Sequence, residues 1–235
     1  MGWQAITATL QRFVLPLYCL LCGAAGDDGL DLCRDCANEL PRNHSCCARC
    51  ALPLAQSAAL CGRCQRHPPP WDAAWVPFRY GWPLDRLESR FKFGADLAAG
   101  RVLSSLWAHE PRPASWPELI VPVPLHRSRL RQRGYNQSLE LAKSLARSLH
   151  VPLHHAGLLR SGATTAQTDL GAVARRRNVR GAFTTPMDTA WPSHVALLDD
   201  VMTTGATLAE CARVLRSKGV ECIDVWALAR APIRA

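Results

Sequence analysis

An α/β fold, a parallel sheet with flanking helices behind a small cysteine-rich module, is what this 235-residue sequence predicts. Three observations carry the prediction. Eight cysteines form four CxxC pairs near the N-terminus, a triple proline (68–70) follows them, and apolar runs then alternate with amphipathic ones to the C-terminus. Alternation of strand-like and helix-like segments is the pattern of a parallel sheet with crossover helices. The expected division is a cysteine-rich domain at 1–70 and an α/β domain at 71–235.

Composition fits a folded chain of this kind, with 48% hydrophobic and 20% charged residues. A net charge of +9 favours anionic partners such as phosphates, nucleotides or nucleic acid. Only three of the 28 basic residues are lysine (Lys92, Lys143 and Lys218), so the excess is carried by arginine, the better bidentate phosphate ligand. No stretch approaches the ~20 apolar residues of a membrane span. The first residues, "MGWQAITATLQRFVLPLYCLLCG", lack a positive leader region and are interrupted by Arg12 and Pro16. They predict a short amphipathic helix packed through Leu10, Phe13, Val14 and Leu17, and the chain as a whole reads as cytoplasmic.

The pairs Cys19/Cys22, Cys33/Cys36, Cys47/Cys50 and Cys61/Cys64 repeat with a spacing of 14 residues. A two-residue gap lets both thiolates of a turn face one metal ion, and two turns complete a tetrathiolate zinc site. Eight ligands therefore imply two structural zinc ions. Equal spacing permits sequential pairing (first with second, third with fourth) or an interleaved arrangement, with sequential pairing closing the shorter loops. Cys46 reads as a bystander, although it or His44 could substitute as a ligand, and His67 reads as a surface histidine. A tetrathiolate closes the coordination sphere, so the module's role is structural or partner-binding. The prolines that follow form a stiff spacer.

Beyond it, "AWVPFRYG" (74–81) reads as extended, and 84–108 carries two helical patterns broken near "KFG". "ELIVPVP" (118–124) begins as a buried strand. "NQSLELAKSLARSLH" (136–150) places Leu139, Ala142, Leu145, Ala146 and Leu149 on one helical face. "SHVALLDD" (193–200) is a second apolar strand, "TLAECARVLRSKG" (207–219) a helix stopped by Gly219, and "VECIDVWALAR" (220–230) the closing strand. Trp71, Trp75 and Trp82 read as packing at the junction of the two blocks.

In such sheets ligands bind at the carboxyl ends of strands. Asp199 and Asp200 stand at that rim, and the turn "VMTTGAT" leads from them into a helix. Gly205 permits tight backbone geometry, Thr203, Thr204 and Thr207 add hydroxyls, and the helix N-terminus favours an anion. No GxxxxGK is present, so this is not a Walker A loop.

"LLDDVMTTGATL" (197–208) resembles the phosphoribosyl pyrophosphate (PRPP) motif of type I phosphoribosyltransferases. The resemblance implies that Asp199 and Asp200 bind the ribose hydroxyls and that Thr203, Thr204, Gly205, Ala206 and Thr207 bind the 5-phosphate. "PVPLHRSRLRQRGYNQSLELAKSLA" (122–146), "TTAQTDLGAVARRRNVRGAF" (164–183), "FKFG" (91–94) and the leading double zinc ribbon resemble, in that order along the chain, the ComF/GntX family of competence-associated phosphoribosyltransferase-like proteins. Where family members often carry an arginine two residues before the TxxQ threonine, this chain has Gly162, with Arg160 retained.

Arg127, Arg129, Arg131 and Arg133 alternate, so in an extended loop they would share one side. The resemblance places this region at the pyrophosphate of PRPP. Arg175, Arg176, Arg177 and Arg180 form either a solvated basic face or a contact for single-stranded nucleic acid. Two functions from different classes stay open. One is a Mg²⁺-dependent transfer of ribose 5-phosphate from PRPP to an unidentified acceptor. The other is a non-catalytic protein that senses PRPP or a nucleotide and engages single-stranded DNA or proteins of the DNA-uptake machinery.

Overall fold

A computed structural model of the chain describes residues 16–56, 58–113, 115–160, 179–187 and 189–232. The predicted N-terminal helix and the segment holding Gly162 and Arg175–Arg177 lie outside these residues, apart from Leu17.

The cysteine repeat folds as two copies of a turn followed by a short helix. In each copy the first CxxC lies in a turn, closed by Gly23 N–H to Cys19 O (2.9 Å) and by Ala51 N–H to Cys47 O (2.8 Å). The residue after each turn is left-handed, Gly23 at φ 79° and Ala51 at φ 53°. The second CxxC of each copy starts a helix, α1 (Arg34–Asn38) after Cys33 and α2 (Gly62–Arg66) after Cys61. Cys46 and His44 stay outside both cysteine clusters.

Four positions of a parallel sheet follow in the order β1/β2–β7–β6–β3. They are β1 (Ala73–Trp75) and β2 (Phe78–Arg79), β3 (Leu119–Pro122), β6 (His194–Met202) and β7 (Cys222–Arg230). β1 and β2 both pair with β7, so the extended segment at 74–81 is one strand position broken around Val76 and Pro77. β4 (Leu159–Arg160) and β5 (Phe183–Thr184) form a separate antiparallel pair.

Both faces of the sheet are covered, which explains its continuous apolar runs. On one face Ala196 and Leu198 of β6 and Trp226 and Leu228 of β7 pack in one core with α3 (Leu84–Phe93), α4 (Leu97–His109) and α6 (Gln137–Leu149). On the other face Val195, Leu197, Ile223 and Val225 meet α7 (Ala206–Arg216) and Phe183. The break predicted near "KFG" falls at Gly94, where α3 ends. In α6 Leu141 takes the core position expected of Leu139, which is half-buried.

The cysteine module is docked on the β1/β2 edge. Arg79 N–H donates to Pro41 O (2.7 Å), Asn43 N–H to Pro77 O (2.7 Å) and Ala74 N–H to Ala48 O (2.8 Å). These bonds cover an edge that would otherwise present unpaired backbone groups. Cys19, Leu32 and Leu40 join the core on the α3/α4 face, whereas Ala51 joins the core on the α7 face. Arg101 to Asp31 (2.6 Å) and Arg42 to Glu110 (3.0 Å) add ion pairs across the junction. Trp71 and Trp75 are buried there, but Trp82 is 66% exposed, which corrects the expectation that all three pack at the junction.

The second correction concerns the alternating arginines. Residues 127–133 are not extended; they form α5 (Arg127–Arg133), started by His126, whose Nδ1 accepts from Ser128 N–H (3.3 Å), and stopped by left-handed Gly134. Arg, Leu and Gln are good helix formers, and both ends carry stop or start signals, so helix propensity overrides the alternation. Among the described residues no helix is long and apolar enough to cross a membrane.

Candidate functional site

β6 runs on past its apolar core, so Asp199 and Asp200 remain within the strand. Asp199 Oδ1 accepts from Ser138 Oγ (2.9 Å) at the start of α6 and from Asp200 N–H (3.0 Å). Asp200 accepts from Lys92 Nζ (2.7 Å), which also reaches Glu88 (3.1 Å), and from Val201 N–H (2.7 Å). α3 and α6 therefore supply the partners that fix both acids.

The two carboxyls titrate in opposite directions. Burial and then the charge of Asp200 push Asp199 up to about 7. Asp200 is buried as well, but the charge and hydrogen bond of Lys92 outweigh burial and hold it below the usual carboxylate range. Burial and the charge of Asp200 thus favour the protonated form of Asp199, whereas Lys92 favours the ionised form of Asp200, and the pair behaves as a unit. Glu88 is raised by burial against the pull of Lys92.

The loop after β6 is held from behind. Gly205 sits at φ 73°, and a Cβ there would lie 3.0 Å from the Trp71 ring and 3.2 Å from Met202. Gly205 is the N-cap of α7 and offers no side-chain cap, so the first-turn amides beyond Ala206 keep hydrogen-bonding capacity for an anion. Thr204 Oγ1 accepts from Ala206 N–H (3.3 Å) and keeps its own proton to donate. Behind the loop stands Arg230, 2% exposed at the end of β7. It donates to the carbonyls of Met202 (2.9 Å), Thr203, Ala231 (2.7 Å) and Cys50 (2.9 Å). Trp71 Nε1 donates to Arg49 O (2.5 Å). Two buried side chains thus join the third CxxC turn to the loop.

α5 divides the four alternating arginines. At about 100° per residue, Arg129 and Arg133 share one side and Arg127 and Arg131 another. The first two are half-buried and the last two exposed. Arg129 lies close enough to Arg160 to lower its pKa, behind the larger effect of burial, and Arg160 also feels Asp199. Arg133 stacks over Phe93 at 5.4 Å and donates to Gln137 (3.2 Å). Arg180 is exposed and lines a cavity of about 670 Å³ with Arg63, His67, Trp71, Gly205 and Arg213. That cavity borders the loop but not Asp199 or Asp200.

Cys19, Cys22, Cys33 and Cys36 bring their sulfurs within 4.8 Å of one another, and so do Cys47, Cys50, Cys61 and Cys64. Sequential pairing is the arrangement adopted. Burial raises the Cys19 and Cys47 thiols, but backbone amides of the knuckles outweigh it and bring them to about 6 and about 7. Burial and the neighbouring thiols push Cys36 and Cys64 up, so it is the gathering of four sulfurs in each cluster that fits structural zinc, which binds them as thiolates.

Sequence reasoning missed Lys92, Glu88, Ser138 and Arg230 as parts of the site. Lys92 carried a signal, since it is one of three lysines in an arginine-rich chain and stands in "FKFG". Arg230 carried none, because only the fold brings it to the loop.

Fold and site together define an α/β protein with a doubly covered parallel sheet, an acid pair and glycine-bearing loop at its carboxyl edge, and a double four-cysteine module on its outer strand. Comparison with known proteins agrees. Residues 10–65 match the family model of the double zinc ribbon domain. Competence protein F of Haemophilus influenzae is 40% identical over 171 residues, 69% of this chain and 75% of that protein. DNA utilization protein YhgH of Escherichia coli is 34% identical over 218 residues, 90% of this chain and 89% of that protein. Competence protein ComFC of Bacillus subtilis is 31% identical over 134 residues, covering 56% and 52%. The chain belongs to the ComF family.

Proposed function

We propose that this protein binds PRPP with Mg²⁺ at the carboxyl edge of β6 and β7 and transfers its ribose 5-phosphate to an acceptor, in the service of DNA use by the cell. The observation that carries the reading is the acid pair followed, five residues after Asp200, by left-handed Gly205 at the start of a helix whose N-cap residue supplies no side-chain cap. Negative charge beside an anion cradle is explained when one ligand carries both a phosphate and sugar hydroxyls. Thr203–Thr207 and the first turn of α7 hold the 5-phosphate, and Asp199 and Asp200 hold the ribose hydroxyls. Arg129 and Arg133, on the inner side of α5, take the pyrophosphate ahead of the exposed Arg127 and Arg131.

In the reaction the C1–O bond breaks with its electron pair leaving on pyrophosphate. The acceptor's lone pair forms the new bond to C1, and the acceptor's proton passes to solvent. The protein contributes position and electrostatics. Ionised Asp200 faces the developing positive charge of the ring, and the inner arginines stabilise the leaving group. Mg²⁺ neutralises the pyrophosphate when bound. Lys92 already compensates Asp200, so a magnesium ion brought with PRPP would be held mainly by the substrate's own oxygens.

A second reading rests on a different observation. Arg127 and Arg131 are exposed on α5, and relatives are named for DNA utilization and competence. In it the protein holds PRPP as a signal and uses its exposed arginines on single-stranded DNA or a partner protein of DNA uptake. Measuring pyrophosphate release from PRPP across a panel of nucleobases and single-stranded DNA separates the two. Release with any acceptor supports transfer; binding of PRPP with no release supports the sensor.

A further inference from the structure

We propose that His194, Cys222 and Asp224 form a third metal site, separate from the two four-cysteine clusters, that takes one divalent transition-metal ion of the zinc, cobalt or nickel kind. The residues converge because of sheet register. His194 on β6 lies directly opposite Cys222 on β7. Asp224 is two residues further along β7 and so projects from the same face. The imidazole nitrogen, thiol sulfur and carboxylate oxygen all come within 4.8 Å of one another.

Asp224 supplies a second, independent observation pointing to a ligand. It is 1% exposed. Its Oδ2 is taken by His194 Nε2 (3.0 Å) and lies 3.5 Å from Ser115 Oγ. Its Oδ1 is buried with no hydrogen-bond partner among the described residues. Leaving a buried carboxylate oxygen unsatisfied is costly. A plain His–Asp pair accounts for Oδ2 but leaves Oδ1 and the neighbouring thiol unexplained, whereas a metal ion uses all three residues.

The donor set decides the ion. Imidazole and thiolate select borderline transition metals over Mg²⁺ and Ca²⁺, which take oxygen ligands. Three protein ligands leave a fourth position for water or a small ligand, unlike the closed tetrathiolates. The site lies at the amino end of β6, five residues before Asp199, or about 17 Å at ~3.3 Å per residue. It is therefore independent of the proposed PRPP site, and its test is indifferent to whether PRPP binds.

Full-length protein with both four-cysteine clusters filled by zinc is titrated with Co²⁺, following thiolate-to-cobalt absorption and the retained zinc. We expect one Co²⁺ per chain with two zinc ions retained. Cys222→Ser, a near-isosteric change, should abolish the absorption, and His194→Gln should weaken Co²⁺ binding at least about tenfold, the scale on which perturbing a metal site costs affinity. Zinc retention by each variant reports that it has folded; if Cys222→Ser loses zinc, His194→Gln and the wild-type titration decide. The proposal is overturned if wild type takes no Co²⁺ beyond exchange into the zinc clusters, or if folded variants bind it as wild type does.

Discussion

Replacing Lys92 by Met keeps the aliphatic stem of the side chain and removes the ammonium from among three carboxylates. Its Nζ lies 2.7 Å from Asp200 and 3.1 Å from Glu88, and the lysine and Asp200 side chains are only 21% and 14% exposed. At an effective dielectric near 20 the two contacts are worth about 6 and about 5 kcal/mol of attraction before desolvation, and breaking a buried pair costs about 3–5 kcal/mol net. The loss should depend on pH in a defined direction. In the wild type the lowered Asp200 adds stability that is present above the ordinary carboxylate range and is lost as pH falls through its folded value. Without the lysine, Asp199, Asp200 and Glu88 all move upward, and a raised carboxyl destabilises most where it is forced to ionise. Urea unfolding at fixed zinc should therefore show about 3 kcal/mol lost at pH 8 and a smaller loss at pH 6. A loss below about 1 kcal/mol, or one equal at both pH values, would refute the view that Lys92 sets the charge state of the acids.

Other consequences are equally direct. Arg230→Leu leaves the carbonyls of Cys50, Met202 and Thr203 without their donor; we expect about 3 kcal/mol lower stability and faster zinc loss to a chelator from the second cluster, with the first unaffected. Gly205→Ala forces a left-handed alanine against Trp71, and should cost about 1–3 kcal/mol and weaken PRPP at least tenfold by calorimetry. Arg129→Gln/Arg133→Gln should weaken PRPP more than tenfold, while Arg127→Gln/Arg131→Gln should change it less than about twofold, since only the first pair lies on the inner side of α5.

Much of this protein is legible in its sequence alone, for identifiable physical reasons. Ligand spacing is a local property, so the four CxxC pairs announced their chemistry, and short loop closure favoured the sequential pairing that the fold adopts. The strands at 119–122, 194–202 and 222–230 are buried on both faces, so each announced itself as a continuous apolar run. Residues 127–133 read as extended because arginine recurs at every second position, whereas the flanking His126 and Gly134 fix a helix instead. Trp82 showed that an aromatic near a junction need not enter it. Contacts across the fold were beyond local reading: Lys92 meets Asp200 over 108 residues of chain, and Arg230 meets Cys50 over 180.

The claim on which the functional account turns is that Asp199, Asp200 and the loop behind them hold PRPP. Calorimetric titration of the zinc-loaded protein with PRPP, with and without Mg²⁺, tests it on wild type and on Asp199→Ala/Asp200→Ala. We expect one PRPP per chain, tighter with Mg²⁺, and an affinity at least about tenfold lower in the double variant, which removes both acceptors for the ribose hydroxyls. No binding by wild type, or equal binding by both proteins, would contradict it.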